Sequence, residues 1–210
     1  LLATPLHAYR DLDTGNARIY FKTGDPIPSG DYVVRGGICW PVLDEEESGG
    51  FIVLCIREER TGRAYVGGEE PFAVIDAIRK EDGSLEPFPS LAPVLMKWWA
   101  TFFADVYYWR QDEFLTKRYR LQISDSENIV PKPGLARLEW RDDNAAMAAV
   151  HLLDAAGLLV YRREGPVDRA MMQYMAEPDK PRAAARALMC AIVGMERRPI
   201  LRGTLDEWDS

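Results

Sequence analysis

Carboxylates are the side chains left to do chemistry in this chain, because the other reactive types are scarce or badly spaced. There are only two histidines, His7 and His151. His151 falls in an amphipathic helical stretch with no nucleophile at a spacing that would serve a triad, so it reads as structural. Cys39, Cys55 and Cys190 have unrelated spacings, which form neither a disulfide framework nor a zinc motif and suit buried thiols in a reducing compartment. No phosphate-cradling glycine loop, dinucleotide fingerprint, nucleophile elbow or Cys-x-x-Cys pair is present. The question becomes whether strand ends bring some of the acids together to hold a metal ion.

The elements that would position such acids follow from the patterning of the chain. Residues 1–31 are turn-rich and expected to be an irregular lead-in, with one short strand at 17–22. Residues 32–40 read as a strand with Gly36 and Gly37 where backbone must come close. Residues 51–57 are apolar without alternation, as in a strand covered on both faces, and Thr61-Gly62-Arg63 turns them into a partner strand at 64–66. Residues 73–79 fit either a strand or a first helical turn.

From Ser90 to residue 119 the spacing of Leu95, Trp98, Trp99, Phe102, Phe103, Val106, Tyr107 and Trp109 predicts one long core helix. A strand at 135–140, a helix at 145–156 closed by Gly157, and a strand at 158–161 come next. Helices at 167–176 and 181–195 complete the order, the second started by Pro181 and stopped by Gly194 and Pro199. Strands separated by helices imply an α/β fold, with a mixed central β-sheet flanked by helices. The expected organisation is a lead-in at 1–31, one α/β domain at 32–198 and a tail at 199–210.

Composition narrows the function classes. The chain has 210 residues, of which 47% are hydrophobic and 28% charged, as expected for a globular core. Its net charge of −7 opposes a broad nucleic-acid-binding face, so any DNA contact must be a local patch. The longest apolar stretch, 91–109, is broken by Lys97 and Asp105, so no membrane partner is expected. The amino terminus has no basic region leading into an apolar run, and without an initiator Met it reads as a fragment or processed product. A cytoplasmic location is expected.

The order Gly36-Gly37-Ile38-Cys39-Trp40, loop, hairpin 50–66 and long helix resembles the nuclease domain of phage terminase large subunits. The run from Val150 to Tyr161, then 167–174 and 182–195, looks like the final part of that domain. The resemblance covers roughly residues 30–198. It implies a ribonuclease H-like fold, double-stranded DNA as substrate, other phage packaging proteins as partners, the host cell's cytoplasm as location, and Mg²⁺ or Mn²⁺ held by carboxylates. Where the family places its first-strand aspartate, after Gly-Ile, this chain has Cys39, a poor ligand for Mg²⁺. The remaining candidates for the catalytic acids are Asp44, Asp112, Glu113 and Asp179, with Asp44 and Asp179 assigned to the metal. Each also reads as a solvated carboxylate or helix cap.

Two other readings stay open. Leu152 to Gly165 resembles the recognition helix and wing of winged-helix regulators, although Pro131-Lys132-Pro133-Gly134 and the strand after it sit where a preceding helix is needed. The other reading is a viral structural or adaptor protein that uses Trp98, Trp99, Tyr107, Tyr108 and Trp109 as a partner surface.

Overall fold

A computed structural model describes residues 7–11, 17–21, 27–40, 50–72, 78–79, 85–86, 101–102, 104–109, 135–138, 143–177 and 183–195. Ten strands and three helices are described. They are β1 (His7–Arg10), β2 (Ala17–Phe21), β3 (Gly30–Cys39), β4 (Gly50–Glu58), β5 (Ala64–Phe72), β6 (Ile78–Arg79), β7 (Leu85–Glu86), β8 (Asp105–Trp109) and β9 (Leu135–Leu138), followed by helix α1 (Asp143–Ala155), strand β10 (Leu159–Val160), and helices α2 (Pro166–Ala176) and α3 (Ala183–Met195).

The class is α/β, built on a mixed eight-stranded sheet. β3, β4 and β5 form an antiparallel meander, and β8 and then β9 add parallel to β3 on its other side. Around the long central strand the order is therefore β5-β4-β3-β8-β9. β2 shares that side of β3: it pairs with residues 30–33, β8 pairs with 35–38, and only Val34 separates the two. β10 lies parallel to β5, and β6 with β7 forms a separate two-stranded sheet.

Local chemistry explains the expected elements that appear. The four residues between Glu58 and Arg63 close the β4–β5 hairpin, with Gly62 at φ 72° and its N–H donating to the Glu58 carbonyl at 2.9 Å. The sheet register slips between Leu54 and Cys55, where Gly67 and Gly68 of β5 let the strand bulge. α1 ends in a Schellman motif: Leu158 N–H donates to the Leu153 carbonyl at 2.8 Å, Gly157 N–H to that of Asp154 at 2.9 Å, and Gly157 has φ 65°. Pro166 opens α2, where a missing N–H costs nothing.

One expectation is corrected. The helix foreseen over 90–119 does not run through, because Asp105–Trp109 is strand β8; Thr101 and Phe102 alone are described as helical within that span. The reason is two-sided burial. Val106 and Tyr108 enter the core on one face of the sheet and Tyr107 the core on the other, so the run shows no alternation and imitates a helical stripe. In the lead-in of residues 1–31 the expected short strand appears as β2, a further strand β1 pairs with it, and both extend the main sheet.

Each face of the sheet carries its own core. On one face, Ile19, Phe21, Tyr32, Val34, Ile38, Trp40, Ile52, Leu54, Ile56 and Tyr108 pack with Ile27 and Phe102. On the other, Cys39, Val53, Cys55 and Ala64 meet α1, α2 and α3. Each fully buried aliphatic or aromatic side chain contributes roughly 1.5–3 kcal/mol. α3 lies so close to β3 that a Cβ on Gly37 would collide with the Ala187 carbonyl and the Ala191 amide, and one on Gly194 would come within 2.5 Å of the Tyr107 ring. Glycine on the strand and alanine on the helix make that approach possible.

Candidate functional site

Because β3, β8 and β9 are parallel, their last residues, Cys39, Trp109 and Leu138, lie at one edge of the sheet. The meander proceeds from β3 to one side, and β8 returns on the other, so the chain switches direction between β3 and β8. Open α/β sheets bind ligands in the crevice beyond carboxyl strand ends at such a switch point. α3 runs back along β3. Its Ala187 and Ala191 sit over Gly37, while the Met195 carbonyl accepts a hydrogen bond from Arg57, the register partner of Val33, at 3.3 Å. The amino end of α3 is thereby turned toward the Cys39 edge.

The segments carrying the acids named from the sequence leave from these ends. Asp44 follows Cys39 by five residues, Asp112 and Glu113 follow Trp109 by three and four, and Asp179 precedes Ala183 by four. Tethers of three to five residues reach at most about 11–18 Å. Asp44, Asp112, Glu113 and Asp179 all lie outside the described residues.

Of the side chains described at this edge, Cys39 is the one with ligand chemistry. It is buried, and its Sγ lies 3.5 Å from the Trp40 carbonyl oxygen, placed to donate a weak hydrogen bond. Among the described residues no three His, Cys, Asp or Glu side chains gather as a metal site. A soft, buried thiol is a poor ligand for Mg²⁺ or Mn²⁺, which favour oxygen donors. Cys55 is further from chemistry still, because full burial pushes its thiol far above the usual range. The ring of His151 lies 6.1 Å from that of Tyr174, a packing role.

Two charged groups that sequence reasoning did not single out are Arg35 and Asp105. They are adjacent in the register of β3 and β8, and both are fully buried. Arg35 also donates to the Val34 carbonyl at 2.9 Å. A charged residue inside an apolar strand pattern was the available signal. Opposite charges placed together inside a core offset one another's desolvation.

A second polar cluster joins β5 to α2. Glu69 accepts a hydrogen bond from Val167 N–H at 3.0 Å and pairs with Arg162 at 3.1 Å, so its carboxylate meets the positive end of the helix dipole. Asp168 reaches back to the Glu164 amide at 2.7 Å, holding that residue at its positive φ of 58°. These acids cap a helix.

The residues behind the two alternative readings are described in part. Tyr107 and Tyr108 are buried, which removes them from an aromatic partner face; Trp98, Trp99 and the side chain of Trp109 lie outside the description. Within the run Leu152 to Gly165, Leu159 and Val160 pair parallel to β5 in the main sheet. Comparison with protein-family models, with curated proteins and with solved structures gives no match.

Proposed function

We propose that this chain is a ribonuclease H-like domain similar to the nuclease domain of phage terminase large subunits, acting on double-stranded DNA alongside other packaging proteins, with its metal-holding position altered at Cys39. One observation carries the reading. The sheet order β5-β4-β3-β8-β9, with an antiparallel meander on one side of the central strand and two parallel strands on the other, resembles the ribonuclease H-like arrangement. In sequence, Asp44 follows β3 by five residues, Asp112 and Glu113 follow β8 by three and four, and Asp179 stands four residues before a helix whose amino end faces the edge where β3 and β8 end.

The chemistry expected is weak. Two-metal cleavage needs oxygen ligands bridging ions roughly 3.5–4 Å apart, and a thiol in the bridging position leaves that charge uncompensated. Plasmid cleavage with Mg²⁺ and with Mn²⁺ tests this on three chains: the natural one, Cys39→Asp, and Cys39→Asp carrying Asp44→Ala and Asp179→Ala. The natural chain should leave the plasmid intact or nearly so. Cys39→Asp should nick it, and the added alanines should abolish the nicking. Vigorous cutting by the natural chain would overturn the altered metal position; intact plasmid with all three would discard the nuclease reading.

A further inference from the structure

No further inference is drawn: the strongest candidate, the exposed apolar side chains of Leu152 on α1 and of Met172 and Met175 on α2, carries nothing because nothing in the structure shows what covers them.

Discussion

The two faces of the sheet are closed by opposite means. On the helical face glycines allow the close contact, with Gly37 beneath the Ala187–Ala191 turn of α3 and Gly194 against the Tyr107 ring. On the other face large side chains fill the volume, Trp40, Tyr32, Phe21 and Tyr108 among them, and all are buried. The first face depends on what is missing from its side chains, the second on what is present. Added atoms should therefore be worst on the first, and removed atoms worst on the second.

The largest effect is expected at Gly37. Gly37→Leu places a side chain where the backbone of α3 already lies, and overpacking against backbone should exceed the usual 1–3 kcal/mol. Chemical unfolding should find the helix-packed half of the molecule lost. A variant as stable as the natural chain would refute the close approach.

Trp40→Ala tests the other face, where emptying a buried aromatic site should cost about 3–5 kcal/mol in urea denaturation, while Trp40→Phe should cost far less. Equal costs for the two would mean the site is not volume-limited. Arg35→Met, which removes the buried cation that the register sets beside Asp105, should cost about 3–5 kcal/mol. Adding Asp105→Leu should restore most of that loss, and failure of the double variant to recover would show that the two charges are not coupled.

The smallest effect is alkaline. Burial, followed by the neighbouring Tyr65 and Glu58, pushes the Tyr32 hydroxyl up to about 12. The folded state thus favours the neutral phenol. That contribution is complete below the unfolded value near 10 and is lost as pH rises from there to about 12. Stability measured between pH 9 and pH 12 should fall less steeply in Tyr32→Phe, with the buried Cys55 thiol supplying part of the remaining slope. An unchanged slope would remove Tyr32 from the account.

These contrasts also explain what could be read from the chain. The hairpin through Gly62 and the C-terminal glycine of α1 were legible because each is a local constraint on φ or on a hydrogen bond. β8 was not, because Val106, Tyr107 and Tyr108 are buried on both sides and their apolar run carries no period. The Arg35–Asp105 neighbourhood was hidden for a different reason: 70 positions separate the two, and only the parallel register brings them together. At the candidate site, Asp44, Asp112, Glu113 and Asp179 came from a resemblance, while the sheet edge from which their segments depart came from the fold.

The shared side of β3 has a kinetic consequence. The β3–β4 and β4–β5 pairings close short loops, whereas β8 must return from far along the chain, so the meander should form first. Until β8 arrives, residues 35–38 present bare amides and carbonyls beside a β2 already seated one residue away. An intermediate of that kind offers another copy of the chain a strand edge to pair with. The yield of refolded protein should then fall as its concentration rises, governed by how quickly one distant strand reaches its place.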